Sequence, residues 1–175
     1  MKESKDIGLG LKNYWEVVCY DSNGAEKWRE YNKNKVMTAG ADYLLDVAFK
    51  SGTPLTTWFI GLKNTGTAVI ADTMASHSSW TEIVHTTYYT GPRQTLTLGA
   101  ITLDGSTSTV DNSSSKATFS ILGTATVAGA FVVNNNASSS ATTGTLYGVV
   151  DFGSSRAVIN GDTLEVTVTL TAAST

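Results

Sequence analysis

The chain has 175 residues, of which 41% are hydrophobic and 15% charged, with one cysteine and a formal net charge of −3. This length suits one domain with a buried core, and a single cysteine rules out an internal disulfide. The acidic balance and the lack of a basic run argue against nucleic-acid binding. No stretch approaches the roughly 18 apolar residues of a membrane span, and no apolar segment follows Met1–Asp6, so we expect cytoplasmic synthesis without a secretion signal.

The charged side chains are concentrated at the N-terminus, where residues 1–50 carry 16 of the 27. Tyr14–Tyr20 and Ala25–Tyr31 flank Asp21-Ser22-Asn23-Gly24, and Asn-Gly is a strong hairpin signal. Cys19 lies in the first apolar run and is expected to be a small core residue. We predict a charged N-terminal arm over residues 1–33, separate from a main domain over residues 34–175.

Residues 38–50 have the pattern of a helix, with Thr38 as its expected N-cap and Gly52 as its end. Asp42, Asp46 and Lys50 line one face. The apolar residues of the other face are expected to pack in the core, and they are Leu44, Leu45, Ala48 and Phe49.

The rest of the chain is a series of short strands separated by turn residues. The run Trp58–Leu62 predicts a core strand, and Val127–Val133, apolar at every position but Gly129, predicts a strand covered on both faces. Leu96, Leu98 and Ala100 alternate inward, but Ile101 and Leu103 take up the opposite parity. The slip at Gly99-Ala100 predicts a bulge or a change of sheet.

The last strand alternates most regularly, with Leu164, Val166, Val168 and Leu170 inward and threonines outward, as in an antiparallel sheet with one wet face. Residues 134–144 are small and polar and predict an exposed loop. Together these segments predict an all-β protein, an antiparallel β-sandwich of jelly-roll or immunoglobulin-like type with one short helix and an N-terminal hairpin.

The residues that carry reactive chemistry are few. His77 and His85 with Asp72 and Glu82 are conceivable as a metal cluster, and Ser76 or Ser78 with His85 as a nucleophile pair, but neither has the remaining partners in a recognisable motif. We therefore predict no enzyme, no metal and no cofactor. Exposed aromatic residues would suit sugar stacking, and the candidates are Trp15, Trp28, Tyr88 and Tyr89.

Three segments resemble a series found in small structural proteins of tailed bacteriophages: Asn34–Leu45, Trp58–Leu62 and Ala71–Glu82. The closing segment Asn160–Leu170 is similar to the last hairpin of the same proteins. The most specific block is Asp-Thr-Met-x-Ser-His-x-x-Trp-x-Glu. Its matching residues imply a loop-fixing set, in which Asp72 is a helix N-cap, Trp80 a packing anchor, and His77 and Glu82 hydrogen-bonding partners.

The resemblance implies a virion structural protein of the kind that decorates or cements expanded heads, and it carries over no catalytic residue. The expected partners are the major capsid protein and sister copies, with a trimer as the expected homo-oligomer and assembly in the host cytoplasm. Because Trp, Tyr and Arg dominate interface hot spots, we expect the arm to bind through three anchors, Trp15, Trp28 and Arg29. The alternative is a tail or fibre module that binds a host-surface carbohydrate or protein through residues 134–144 and Tyr88-Tyr89.

Overall fold

The computed structural model describes residues 9–136 and 142–174, and it contains two antiparallel sheets and one helix. Parts of two predicted features, residues 1–8 of the arm and 137–141 of the loop, lie outside the described residues. The elements are β1 (Leu9–Tyr20), β2 (Glu26–Lys33), β3 (Lys35–Val36), α1 (Thr38–Phe49), β4 (Phe59–Gly66), β5 (Trp80–Glu82), β6 (Gln94–Thr95), β7 (Thr102–Asp104), β8 (Thr107–Asp111), β9 (Ala117–Ser120), β10 (Ala125–Val133), β11 (Leu146–Val158) and β12 (Thr163–Ser174).

The first sheet has the strand order β2-β1-β12-β8-β7, with β9 also paired to the early part of β12. The second has the order β3-β11-β10-β4-β5, with β6 paired to the start of β4. The chain passes from the second sheet to the first between Thr95 and Thr102, so the parity change at Gly99-Ala100 is a change of sheet. Within this corner only Leu96 is buried, and the expected inward positions of Leu98 and Ala100 are wrong.

The main core lies between the inner faces of the two sheets. Leu164, Val166 and Val168 are fully buried while Glu165 and Thr167 between them are partly exposed, which confirms the alternation of the last strand. Cys19 is also buried in this core, as predicted, and burial together with the nearby Asp162 carboxylate raises the pKa of its thiol to about 12. The predicted β-sandwich is confirmed.

A second core covers the outer face of the second sheet, where the chain between β4 and β5 lies over β10 and β11. Its buried members are Met37, Ala68, Met74, Trp80, Phe131, Val133, Leu146 and Val149. Alternate residues of β10 enter the two cores, for example Phe131 the outer one and Val132 the inner one. This arrangement explains why Val127–Val133 is buried throughout and confirms a strand covered on both faces.

The predicted hairpin is present, but its described residues do not form a separate arm. β1 pairs with β2 on one side and with β12 on the other, in continuous register from Leu9↔Ser174 to Tyr20↔Thr163. Trp15, Val17 and Cys19 lie in the main core. The division between an arm and a sandwich at residue 33 is therefore wrong for residues 9–33, because the inward face of β1 is apolar and is covered only within the sandwich.

Helix α1 is confirmed, and of its four predicted core residues Leu44 packs against the main core, whereas the prediction is wrong for Leu45, Ala48 and Phe49. A Cβ on Gly40 would lie 2.4 Å from the carbonyl oxygen of Tyr147, so only glycine allows the helix to approach β11 this closely. The face that follows from this contact carries Tyr43, Leu44 and Val47, which are half-buried, whereas Leu45 and Phe49 are 57% and 80% exposed. The spacing of apolar residues predicted that the face with Leu45 and Phe49 is buried. The contact of Gly40 with Tyr147 instead places a different face of the helix against the sheet.

The start of α1 also differs from expectation. Met37 is the N-cap and makes no side-chain capping bond. Thr38 is the first helical residue, and its backbone N–H and hydroxyl both donate to the carbonyl oxygen of Ile70, at 3.0 and 3.2 Å. Among the described residues, no helix is long and apolar enough to cross a membrane.

Candidate functional site

The segment between β4 and β5, residues 67–79, contains most of the motif residues, and Asp72 is its main hydrogen-bond acceptor. Its carboxylate accepts from the Val69 backbone N–H at 2.8 Å, the Ser79 hydroxyl at 3.2 Å and the Trp80 indole N–H at 3.0 Å. Asp72 is not a helix N-cap, because residues 73–76 form a tight turn with paired backbone bonds between Thr73 and Ser76. Asp72 instead joins the two ends of the segment.

Trp80 is the packing anchor of this segment, as the motif implied. It is buried, and its ring lies 5.1 Å from that of Phe131 on β10. The imidazole of His77 stacks on the outer face of the indole at a ring distance of 4.1 Å, and its Nδ1 lies 3.2 Å from the Trp80 carbonyl oxygen. The indole is thus held by contacts with the His77 and Phe131 rings and by the Asp72 carboxylate at its N–H.

Glu82 forms a buried two-point ion pair with Arg93. The carboxylate accepts from Nε at 2.9 Å and from a terminal guanidinium nitrogen at 2.7 Å, while the other terminal nitrogen donates to the Asn135 carbonyl at 2.8 Å. The guanidinium lies 5.3 Å from the centre of the Phe131 ring. Sequence reasoning did not single out Arg93, although its signal was visible, since charged residues are rare after residue 50.

A second buried ion pair joins β4 to β11. Lys63 is fully buried, and its ammonium contacts the Asp151 carboxylate and the Gly66 carbonyl oxygen. Asp151 also accepts from Lys35 at 2.9 Å and from the Ala68 backbone N–H. Burial alone would raise the pKa of Asp151, but the hydrogen bonds from Lys63 and Lys35 outweigh it and hold the pKa below its usual value.

These contacts determine what the motif region can do chemically. The Asp72 and Glu82 carboxylates are occupied by indole, hydroxyl and guanidinium donors, and the described residues contain no cluster of three His, Cys, Asp or Glu able to hold a metal ion. Among the described residues, His85 makes no hydrogen bond to Ser76 or Ser78, the pair considered as nucleophiles. Its ring lies 6.4 Å from that of Tyr89. The arrangement fastens a long connection to the sheet beneath it.

The three predicted arm anchors have different environments. Trp15 is 1% exposed within the main core, so the prediction that it contacts a partner is wrong. Trp28 is half-buried, donates from its indole to the Ala157 carbonyl at 3.2 Å and packs edge-on against Phe152. Arg29 is exposed and pairs with two carboxylates of the hairpin, Glu16 and Glu26.

The aromatic pair considered for sugar binding does not offer two stacking faces. Tyr89 is fully buried against Phe119, at a ring distance of 5.1 Å, and Tyr88 is half-buried. A sugar ring has no access to Tyr89, so this part of the carbohydrate hypothesis is wrong. Of the predicted loop 134–144, the described residues 142–144 are exposed, as is residue 136.

The exposed apolar residues form surfaces that sequence reasoning missed. We call Leu98, Ile101 and Leu103 the edge patch, because they lie on and just before β7, the last strand of the first sheet; Ile101 and Leu103 are 75% and 74% exposed. The patch borders an apolar cleft of about 120 Å³ at the open end of the sandwich. The cleft is lined by Tyr43, Leu44, Trp58, Leu96, Leu98, Val132, Tyr147 and Leu170.

The fold and these surfaces define a class of protein, the antiparallel β-sandwich. In this chain the segment between β4 and β5 packs on the outer face of one sheet, and the edge of the other sheet is apolar. Comparison with known protein families and with curated protein sequences gives no match.

Proposed function

We propose that this protein is a structural component of a tailed-bacteriophage virion, and that it is a decoration protein that binds the head shell through the edge patch. The observation that carries the proposal is the exposure of Ile101 and Leu103 on an edge strand. Large exposed apolar side chains grouped on one surface are typical of protein–protein contacts. The resemblance of Asn34–Leu45 and Ala71–Glu82 to phage structural proteins supplies the kind of partner.

The edge patch suits docking in two further respects. An edge strand has backbone N–H and C=O groups directed away from its sheet, which proteins usually protect by a charge, a bulge or a covering segment. Asp104 is the one charged residue of β7, and the patch residues that precede it, Ile101 and Leu103, are apolar. The adjoining cleft offers a concave apolar surface for a side chain of the partner.

The tightly fastened interior is also consistent with a structural role. Lys63–Asp151 and Glu82–Arg93 join strands of the second sheet to one another and to the connection before β6. A decoration protein resists expansion of a shell only if it does not deform itself, and rigid partners lose less conformational entropy on binding. We infer that the sandwich acts as a stiff plate whose edge contacts the shell.

The test is co-sedimentation with expanded heads that lack the protein, using the wild type and the variant I101D/L103D. Both side chains are largely exposed, so the variant is expected to fold. We expect the wild type to bind heads at a saturable ratio and to raise the temperature at which they rupture, and the variant to remain in the supernatant. L122D is a matched control, because Leu122 is an exposed apolar residue outside the patch.

Two outcomes would overturn parts of the proposal. A wild-type protein that stays in the supernatant would exclude head binding, and adhesion to host cells would then test the tail or fibre alternative. Equal binding of I101D/L103D and wild type would show that a different surface contacts the head.

A further inference from the structure

One face of α1 is apolar and acidic and is exposed along its length. Asp42, Leu45, Asp46 and Phe49 follow the spacing i, i+3, i+4, i+7 and therefore share a face, which we call the helix patch. All four are exposed, and neither carboxylate makes an ion pair with a described residue. Lys50 follows at the C-terminal end of this face, so two negative charges and one positive charge surround the apolar pair.

The outer face of the first sheet carries the opposite combination. Tyr14 and Tyr31 stack with a ring distance of 6.1 Å and an interplanar angle of 18°, and Lys33 Nζ lies 5.6 Å from the Tyr14 ring. Lys12 is exposed two residues before Tyr14 on the same face, and Tyr31 is 67% exposed. We call these four residues the basic patch.

The two lysines of the basic patch are not neutralised by a carboxylate of the described residues. Lys12 and Lys33 make no ion pair with any described residue. Glu16, the next residue of β1 on this face, is held by Arg29, which is also paired with Glu26. The neighbouring positions on β12, Thr169 and Thr171, are uncharged.

We propose that the helix patch of one copy binds the basic patch of a second copy. Each surface has exposed aromatic or aliphatic side chains beside unpaired charges, and the two signs are opposite. In this contact Asp42 and Asp46 pair with Lys12 and Lys33 of the neighbour, while Tyr31 packs against Leu45 and Phe49. The groove between α1 and the residues Thr73 and Thr145 receives the rim of the neighbouring hairpin.

The proposed contact is heterologous, since its two surfaces differ: α1 packs on β11 of the second sheet, and the basic patch belongs to the first sheet. A heterologous contact repeats from copy to copy and closes into a ring when its rotation divides a full turn. It uses neither Ile101 nor Leu103, so the edge patch stays free for a head shell. The proposal therefore goes beyond head binding and does not depend on it.

The experiment is analytical ultracentrifugation of the full chain and of two charge-reversal variants, K12E/K33E and D42K/D46K. We expect the wild type to sediment as a multiple of its 18.5 kDa mass. Each variant places like charges on both patches, which should lower the association constant by at least about tenfold. The variant D104K is the control, because Asp104 is an exposed carboxylate outside both patches, and it should assemble like the wild type.

Mixing the two variants gives the decisive measurement. In an equimolar mixture the acidic patches of one variant face the basic patches of the other, so we expect assembly to return, and this recovery also shows that both variants are folded. A wild type that remains monomeric up to about 100 µM would overturn the proposal. Variants that assemble like the wild type, or a mixture that stays monomeric, would overturn the pairing of these two patches.

Discussion

At the scale of single residues, two ion pairs in the body of the chain contain a fully buried cation. Lys63 and Arg93 are essentially inaccessible, and each is satisfied by a carboxylate and a backbone carbonyl oxygen. Removing one partner of a buried pair leaves an uncompensated charge in a medium of low polarity, which costs much more than a surface pair gains. Lys63, Arg93 and their carboxylate partners are therefore among the few charges after residue 50 because each has a specific partner.

Replacement of Asp151 by Asn tests this interpretation through pH. The lowered pKa of the Asp151 carboxyl means that its contribution to stability is complete above the unfolded value of about 3.9 and is lost as the pH falls through the folded value. We expect D151N to lower the free energy of unfolding by about 3 kcal/mol at pH 7, because Lys63 and Lys35 lose their common acceptor. The difference from the wild type should shrink below about pH 4, measured by urea unfolding across this range.

The variant D104N serves as the control for D151N. Asp104 is exposed and makes no ion pair with a described residue, so its replacement should change the unfolding free energy by less than about 0.5 kcal/mol. An unchanged gap between D151N and the wild type at pH 3 would show that the loss does not come from the ionised carboxylate.

At the scale of elements, close contacts at glycines determine how the helix and strands pack, which the pattern of apolar residues does not specify. Gly40 brings α1 against the Tyr147 backbone and so decides which helix face is exposed. Gly129 has a similar role in β10, which lies between Lys63 on β4 and Asp151 on β11. Because Gly129 has no side chain, the Lys63 stem can cross β10 to reach Asp151.

Replacement of Gly129 by Ala is expected to destabilise the second sheet. The added Cβ would lie 2.1 Å from the Val150 carbonyl oxygen and 2.8 Å from Lys63 Cε, so both the backbone and the lysine must move. We expect a loss of about 1–3 kcal/mol in urea unfolding, the usual cost of overpacking. G153A is the comparison, because a Cβ there meets no atom within 4 Å, and a loss as large as that of G129A would argue against steric crowding.

At the scale of the whole molecule, the N-terminal hairpin is part of the sandwich. β1 pairs with β12 along its full length and places Trp15 and Val17 in the main core. The molecule therefore has one folding unit in its described residues, and the surfaces available to partners lie on its edge, its helix and its outer sheet face.

Deletion of residues 1–31 is expected to abolish cooperative folding. The deletion removes all of β1 and most of β2, exposes the edge of β12 that pairs with β1 and leaves Glu30's partner Arg156 unpaired. We expect the truncated chain to lack a sharp thermal transition in circular dichroism, whereas W15A, which keeps the strand pairing, should unfold cooperatively with a loss of about 3–5 kcal/mol. A truncated chain with native near-ultraviolet signals and a sharp transition would instead support the prediction that residues 1–33 form a separate arm.

Residue patterns predict the class of fold, the hairpin, the bounds of α1 to within a residue and the change of sheet near Gly99. These follow from local signals, namely alternation with a period of two, turn residues and helical periodicity, which act over a few neighbours. The motif also indicated that Asp72, His77 and Trp80 act together. It implied that Asp72 caps a helix, but residues 73–76 form a tight turn and no helix.

The burial of particular apolar residues and the pairing of particular charges depend on tertiary packing. Leu45, Phe49, Ile101 and Leu103 are as apolar as the core residues, and their exposure depends on how closely α1 approaches Tyr147 and on which strand ends the first sheet. The pairs Lys63–Asp151 and Glu82–Arg93 join residues distant in sequence, and no local pattern specifies them. Burial and pairing are properties of packed surfaces, so they appear only when the two sheets and the helix are placed together.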